Sequence, residues 1–216
     1  MLALREERLA AGERPIGWKL GLGAPAAQEK LGLDGPLVGF LTDAGLLAPG
    51  ATAAVGAWEN ATLEPELAVH LGRDVPAGTS AADVAALVAG IGPAIELVDI
   101  DVPPADPEAV LAGNIFHRHV LLGDPTADWP APGGLPLWVR KGDTVVAETS
   151  DPLALTGDLF ELVGHTARVL EDCGAALRAG EVLICGSAVP ALSIGPGDHV
   201  TVDWGPLGAV DVQLTG

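Results

Sequence analysis

The chain has 216 residues, 49% of them hydrophobic, and its 29 acidic against 11 basic side chains give a formal net charge of -18. That length supports one sizeable hydrophobic core and is short for two domains, so we predict a single domain over residues 1–216. The acidic balance argues against nucleic acid and anionic membranes as partners, but it allows an anionic small molecule wherever a cation in the site compensates.

The sequence shows no targeting or membrane-spanning segment. Every apolar run is broken by glycine, proline or charge before it reaches the roughly 18–20 residues of a spanning helix. Residues 1–14 mix acids and arginines without the apolar core of a secretory signal, so we expect a cytoplasmic location. Cys173 and Cys185 lack the spacing of a metal site and are expected to be free thiols.

The first half of the chain opens with an amphipathic segment, followed by a strand, a loop and a short helix across "IGWKLGLG" and "PAAQEKLGLDGP". The stretch "TLEPELAVHLG", residues 62–72, is rich in residues that favour burial and is predicted to be a strand. Ser80 and Asp83 have the spacing of a capping box and predict the start of a helix. The apolar run "PAIELVDID" then predicts a buried strand.

The second half contains a Pro/Gly-rich surface segment, "GDPTADWPAPGGLP", and then a hairpin predicted to turn at Gly142 and Asp143. Apolar residues at helical spacing predict a helix over about residues 158–173, with Gly174 at its end. Short β-type runs separated by glycine and proline make up the rest. This pattern predicts a mixed, strongly β structure of the α+β class with a few covering helices.

Three glutamates are the strongest chemical signal. Glu64 and Glu66 are two residues apart, so on a strand both side chains point to one face. A solvated edge strand is one explanation of that pair; the other is the two-ligand arm of a metal site, which Pro65 also fits, because its missing N–H suits an edge or rim position. Glu96, however, interrupts an apolar strand, where a carboxylate must be neutralised, hydrogen-bonded or metal-bound. Three carboxylates without matching bases suit a hard cation such as Mg²⁺, with His70 as a competing ligand or a structural residue.

Lys19 in "IGWKLGLG" is the candidate for proton transfer. It lies between Trp18 and Leu20 on a strand that enters a Gly-rich turn. Two interpretations stay open: the ammonium group leans into solvent, or it lies in a low-dielectric site where it acts as a general base near neutral pH. The sequence alone does not place Lys19 beside the three glutamates.

Several motifs resemble a known family. They are "GWKLGLG", "QEKLGLDGPLVGFL", "LEPELAVHLGRD", "PAIELVD", a "GN" before "VLLG", and the terminal "LRAGEVLICGS" and "PGDHVTVDWGPLGAVDV". Their order and spacing over residues 15–214 resemble the 2-keto-4-pentenoate hydratase and 4-oxalocrotonate decarboxylase group of the fumarylacetoacetate hydrolase superfamily. The E-x-E pair with a distant glutamate is fairly specific in combination with the glycine-rich ending.

The resemblance implies a β-roll-like fold of the fumarylacetoacetate hydrolase C-terminal type and a homo-oligomer that acts on a small 2-oxo acid. It also implies a divalent metal, Mg²⁺ or Mn²⁺, that the substrate chelates and that three carboxylates hold: Glu64, Glu66 and Glu96. Lys19 matches the family's lysine, which would move a proton during enol–keto exchange. Asn114 and Ser187 match positions near the family's substrate pocket.

The chain departs from the family pattern in its first part. Where the hydratases carry an acid before the aromatic-Gly of "P-D-[FY]-G", this chain has Leu37, which cannot transfer a proton although its position borders the expected substrate site. The family's "G-L-T-S" loses two hydroxyls at Gly23 and Ala24. The N-terminal segment is shortened to about residues 1–14.

A further departure lies in the run "NIFHRHVLLG", which introduces three basic or titratable residues. Arg118 would suit a substrate carboxylate. His117 and His119 share a strand face, where they either transfer protons or face solvent.

Together these features predict a divalent-metal-dependent lyase acting on a 2-oxo acid or its dienol. Water addition needs a complete proton shuttle, whereas decarboxylation of a vinylogous β-oxo acid needs mainly an electron sink, so Leu37 weakens hydration more than decarboxylation. Acylpyruvate hydrolysis ranks third, because the resemblance implies a water-activating His-Glu pair in the N-terminal region of such hydrolases, and this chain has no histidine before His70. A recruited enzyme for another 2-oxo or β-dicarbonyl substrate and an inactive metal-binding subunit stay open as alternatives.

Overall fold

The computed structural model describes all 216 residues. Five α-helices cover parts of the sheets: α1 Leu2–Ala10, α2 Pro25–Leu31, α3 Ala81–Val84, α4 Pro107–Ala112 and α5 Leu159–Asp172. None of these helices combines the length and apolar character that a membrane crossing requires.

Thirteen strands form two sheets. The larger sheet contains β1 Pro15–Gly21, β2 Leu37–Thr42, β3 Leu46–Leu47, β5 Ala61–Leu71, β6 Val88–Asp99, β7 His117–Leu122, β10 Val182–Ile184 and β11 Leu192–Ser193. The smaller sheet contains β4 Thr52–Ala54, β8 Leu137–Lys141, β9 Thr144–Thr149, β12 His199–Asp203 and β13 Ala209–Thr215. The strand orders are β2-β1-β10-β5-β6-β7-β3, with β11 also pairing with β5, and β4-β13-β12-β8-β9. This architecture confirms the prediction of a mixed, strongly β structure of the α+β class.

One hydrophobic core of 37 buried residues takes side chains from both sheets, among them Trp18 and Phe40 from the larger and Val202 and Val212 from the smaller. In the smaller sheet, the residues of β12 and β13 alternate between buried and more exposed positions. In the larger sheet, almost every residue of β5 and β6 is buried, so both faces of these strands are covered. A polar side chain on β5 or β6 therefore needs a partner inside the protein.

β5 is an interior strand of its sheet. It pairs with β6 along its whole length and with β10 and β11 on its other side. Pro65 lies in the gap between β10 and β11, where its carbonyl accepts the N–H of Ala188 at 2.9 Å. β5 is therefore not an edge strand, and the solvated-edge explanation of Glu64 and Glu66 is wrong. The gap tolerates a proline because no strand pairs with β5 at Pro65 on the side that faces β10 and β11.

Local sequence signals predict the ends of α5 and the hairpin correctly. The Asp158 carboxylate accepts two backbone N–H groups of the first turn of α5, and Gly174, with φ +74°, follows its last residues. The hairpin of β8 and β9 turns at Gly142 and Asp143. Ser80 caps a helix as predicted, although α3 is a single turn that continues as a 3-10 turn.

Candidate metal centre

Three carboxylates meet on one face of β5 and β6. Glu64 and Glu66 come from β5, and Glu96 lies opposite Glu64 on β6. One oxygen of each lies within 4.8 Å of the other two. Glu66 and Glu96 are fully buried, whereas Glu64 is partly exposed. The two-residue period of a strand aligns the first pair, and the antiparallel register brings the third carboxylate to them.

Burial and repulsion dominate the electrostatics of this cluster. Burial, together with the neighbouring Glu96, raises the pKa of Glu64 to about 7. Burial, Glu96 and Glu64 raise the pKa of Glu66 well above its ordinary range. Burial also acts to raise the pKa of Glu96, but Lys19 and His117 beside it hold that pKa below its ordinary value. The cluster therefore resists carrying three negative charges unless a cation compensates them.

Two buried carboxylate oxygens, Glu66 Oε1 and Glu96 Oε2, have no hydrogen-bond partner. The other oxygen of Glu66 accepts the N–H of Gly186 at 2.6 Å. The other oxygen of Glu96 contacts Lys19 and His117. Each buried glutamate thus has one satisfied and one free oxygen. Free carboxylate oxygens at this spacing are the donors that a hard divalent cation prefers, so the residues fit Mg²⁺ or Mn²⁺.

Lys19 lies in the same buried site. Its side chain is 1% exposed, and its Nζ lies 2.6 Å from Glu96 Oε1. The same nitrogen donates a hydrogen bond to the Ile115 carbonyl at 3.0 Å. The interpretation in which Lys19 leans into solvent is therefore wrong, and the structure brings the lysine and the glutamates together.

A left-handed turn at residues 114–116 supplies the carbonyl that contacts Lys19. Its three residues have φ of +62°, +53° and +63°, a conformation that non-glycine residues rarely adopt. The Asn114 side chain accepts the Phe40 N–H at 2.8 Å and donates to the Phe40 carbonyl at 2.9 Å. Gly39 leaves room for this contact, because a Cβ there would lie 2.7 Å from Asn114 Oδ1 and 2.9 Å from Lys19 Cγ. Asn114 thus clamps the turn to β2, while its role in substrate binding stays a prediction.

His117 also lies in the site, which is one of the two positions that the sequence leaves open for it. It is 5% exposed, and its Nδ1 lies 2.6 Å from Glu96 Oε1, so the solvent-facing interpretation is wrong for this residue. His119 instead stacks on Trp58, with ring centroids 6.0 Å apart. The two histidines differ because the pairing of β6 with β7 shifts register between them. No residue pattern in the sequence marks that bulge.

A cavity of about 210 Å³ lies beside the cluster. Glu64, Gly186 and Ser187 all contribute to its wall. The Ser187 hydroxyl donates to the Val189 carbonyl at 2.6 Å, which leaves its oxygen as an acceptor for a bound molecule. A small molecule in this cavity would touch both Glu64 and Ser187.

Three residues singled out from the sequence lie elsewhere. Leu37 packs on a small apolar cluster around Ile115 and is not part of the cavity wall. Arg118 pairs with Asp101 at 2.6 Å, also outside the wall. His70 is not one of the clustered ligand atoms. This geometry does not support substrate contacts by Leu37 or Arg118, or a ligand role for His70.

The fold and this site define a β-rich protein with a built position for a divalent cation. Residues 22–215 match the model of the fumarylacetoacetate (FAA) hydrolase C-terminal family. The chain belongs to that family, and the resemblance inferred from its motifs is confirmed.

Several curated relatives align with nearly the whole chain. A 4-oxalocrotonate decarboxylase of a Pseudomonas species is 25% identical over 215 residues, which cover 97% of this chain and 82% of the relative. A 2-keto-4-pentenoate hydratase of Paraburkholderia xenovorans is 28% identical over 218 residues, which cover 97% and 79%. The structure of 4-oxalocrotonate decarboxylase from Pseudomonas putida G7, complexed with magnesium and adipate, matches with a TM-score of 0.92 at 24% identity, covering 99% of this chain and 82% of that one. This last likeness establishes the fold.

Proposed function

We propose that this protein is a divalent-metal-dependent lyase that acts on a 2-oxo acid or on its dienol. One observation carries the proposal: the buried Lys19 contacts a carboxylate of a three-glutamate cluster that borders a small cavity. Relatives named as hydratases and decarboxylases support this class of enzyme. Structures of family members complexed with magnesium, or with Mn²⁺ and pyruvate, support Mg²⁺ or Mn²⁺ as the cation.

In this proposal the three glutamates hold the cation, and the free oxygens Glu66 Oε1 and Glu96 Oε2 are among the ligands. A bound divalent cation supplies a Lewis acid that stabilises negative charge on the 2-oxo group. Glu64 is the cluster member in the cavity wall, so we assign the 2-oxo acid end of the substrate to that side of the cavity.

Lys19 is the proposed proton carrier. Its burial excludes bulk water from the amine, and the Ile115 carbonyl fixes the direction of Nζ. Glu96 Oε1 contacts both Lys19 Nζ and His117 Nδ1 at 2.6 Å. These three groups form a short chain that can keep a transferred proton inside the site.

Hydration and decarboxylation make different demands on this chain of groups. Leu37 offers Lys19 no acidic partner from β2, which favours decarboxylation, because that reaction needs mainly an electron sink. His117 beside Glu96 offers another proton-holding group, which favours water addition. Both reactions therefore enter the test.

Three other functions are ranked below this proposal. A recruited enzyme for another 2-oxo or β-dicarbonyl substrate would use the same cluster, and an inactive metal-binding subunit would hold the cation without turnover. Acylpyruvate hydrolysis is less favoured, because no histidine precedes His70 to form the N-terminal, water-activating His-Glu pair expected of the superfamily's hydrolases. Assembly as a homo-oligomer and a cytoplasmic location complete the proposal as predictions.

The test uses two substrates in separate incubations with protein and Mg²⁺. Disappearance of the ultraviolet absorbance of 2-hydroxypenta-2,4-dienoate measures hydration, and CO₂ release from 2-oxohex-3-enedioate measures decarboxylation. Turnover of either substrate that requires the metal supports the proposed lyase. If metal-loaded protein turns over neither, the lyase assignment is wrong, and recruitment or an inactive subunit takes its place.

A further inference from the structure

The wall of the cavity beside Glu64 consists mostly of backbone and of small or apolar side chains. One part comes from residues 20–24, which span the end of β1 and the loop after it, and from Ala27 on α2. Another part comes from the segment after β10, including Val189, Pro190 and Ala191. The volume of about 210 Å³ is below the ~300–1,000 Å³ of sites for drug-sized ligands, so the cavity suits a compact molecule.

Positive charge is absent from this wall. Glu64 is the only ionisable side chain that lines it. The two hydroxyls in the wall, of Ser187 and Thr156, both donate to backbone carbonyls and leave only acceptors for a ligand. Lys30, the one basic residue of α2, is exposed and does not line the cavity.

The basic residues near the cluster are already engaged. Lys19 contacts Glu96 and the Ile115 carbonyl, and Arg118 pairs with Asp101. The chain as a whole carries a formal net charge of -18. A negative group at the far end of a ligand therefore meets neither a counter-ion in the wall nor a favourable field around it.

We infer that the site selects 2-oxo acids whose far end is uncharged and discriminates against a second carboxylate. The inference rests on the proposed function, because it takes the 2-oxo acid end to lie at Glu64. A second carboxylate would lose its hydration in this wall without compensation. An alkyl or alkenyl tail instead gains from burial against Leu20, Leu22 and Leu155.

This selectivity decides between the two lyase reactions. Loss of CO₂ from a vinylogous β-oxo acid requires a second carboxylate on the saturated carbon next to the enone, from which the electron pair passes through the double bond to the oxo group, and an uncharged tail lacks that carboxylate. Water addition to a five-carbon dienol requires none. The enol proton transfers to C5 as the 2-oxo group forms, and then the hydroxyl of one water bonds to C4 while its remaining proton bonds to C3. The cavity thus favours hydration over decarboxylation.

The test compares two six-carbon ligands, 2-oxohexanoate and 2-oxohexanedioate, which differ only in the second carboxylate and carry no double bond to hydrate. Isothermal titration calorimetry with Mg²⁺-loaded protein gives the Kd of each. We expect the dicarboxylate to bind at least about tenfold more weakly. Equal or tighter binding of the dicarboxylate would overturn the inference while leaving the 2-oxo acid site intact. Binding of neither ligand would overturn the 2-oxo acid site, and the inference with it.

A matched pair of variants tests the wall itself. Ala27→Lys adds a cation to the wall, whereas Ala26→Lys adds the same charge to an exposed position of the same helix. Lysine is a good helix former at both positions. We expect Ala27→Lys to shift the ratio of the two Kd values towards the dicarboxylate at least about fivefold, and Ala26→Lys to leave the ratio unchanged. Equal shifts in both variants would assign the discrimination to the net charge and overturn the role of the wall.

Discussion

The two sheets of this protein place their charged residues differently. In the smaller sheet, β12 and β13 alternate between buried apolar and more exposed polar residues, and the Lys141–Asp198 ion pair is partly exposed. In the larger sheet, β5 and β6 are covered on both faces, yet Glu66, Glu96 and Lys19 lie within it. Alternation is what a sheet needs for stability, whereas charges in a doubly covered sheet cost stability and indicate a site.

The largest effect should come from Lys19, the buried lysine of the larger sheet. Lys19→Met keeps an apolar side chain of similar length and removes the amine that contacts Glu96. We expect turnover to fall by ~10²–10⁴-fold, because the proton carrier is lost. The rate is measured on whichever substrate the wild-type protein converts.

A lysine of the smaller sheet is the control. Lys141 lies outside the cavity and the cluster, so Lys141→Met should leave the rate unchanged. Similar losses of turnover in Lys19→Met and Lys141→Met would contradict a specific role of Lys19 in the reaction.

The next effect concerns metal binding. Glu66→Gln keeps an acceptor for the Gly186 N–H and removes one charge from the cluster. We expect Mg²⁺ or Mn²⁺ to raise the Tm of the wild-type protein and to have no such effect on the variant. In EDTA the variant should melt no lower than the wild type, because its surroundings already oppose the charge on Glu66. Differential scanning fluorimetry measures both.

An exposed acid of the smaller sheet provides the comparison for this variant. Glu148→Gln on β9 removes the same charge far from the cluster atoms and should retain the full metal response. A metal response that survives in Glu66→Gln would remove Glu66 from the ligand set.

The sequence predicts the metal cluster because each of its glutamates is marked by residues close to it in the chain. The two-residue period places Glu64 and Glu66 on one face, and the apolar neighbours of Glu96 show that it must be buried. Helix and hairpin ends are local as well, as Asp158 and Gly174 illustrate.

The surroundings of the cluster depend on contacts between distant segments, which the sequence does not encode in a readable pattern. Lys19 on β1 contacts Glu96 on β6 although β10 and β5 lie between these strands in the sheet. His117 reaches Glu96 near a bulge of the β6–β7 pairing. Sequence reasoning puts Leu37 at the substrate from its position in the family pattern and Arg118 there from its charge, but Leu37 packs on the apolar cluster around Ile115 and Arg118 pairs with Asp101.

A smaller effect, on stability, should follow from the clamp that Asn114 forms. Asn114→Ala leaves the N–H and carbonyl of Phe40 without their partner. We expect the free energy of unfolding to fall by ~1–3 kcal/mol, measured by urea unfolding. Activity should fall too, because the turn that holds Lys19 loosens.

An exposed asparagine separates this clamp from a general loss of side-chain contacts. Asn60→Ala removes a hydrogen bond to the Ile100 carbonyl at the surface and should cost less than ~1 kcal/mol. If Asn114→Ala instead keeps its stability and raises only KM, substrate binding would be its role.

The smallest effect is expected at the Lys141–Asp198 pair of the smaller sheet, which lies at 2.7 Å. The hydrogen bond from Lys141, with help from the Gly195 N–H, holds the pKa of Asp198 below its ordinary value although partial burial opposes this. A lowered folded pKa means that the stabilisation is complete above the unfolded pKa and is lost as the pH falls through the folded one. Asp198→Asn should therefore cost less than ~1 kcal/mol at pH 7, and this difference should shrink towards pH 3 in urea unfolding. A cost that grows in acid, or any loss of turnover, would show that the smaller sheet also carries charges that matter to the site.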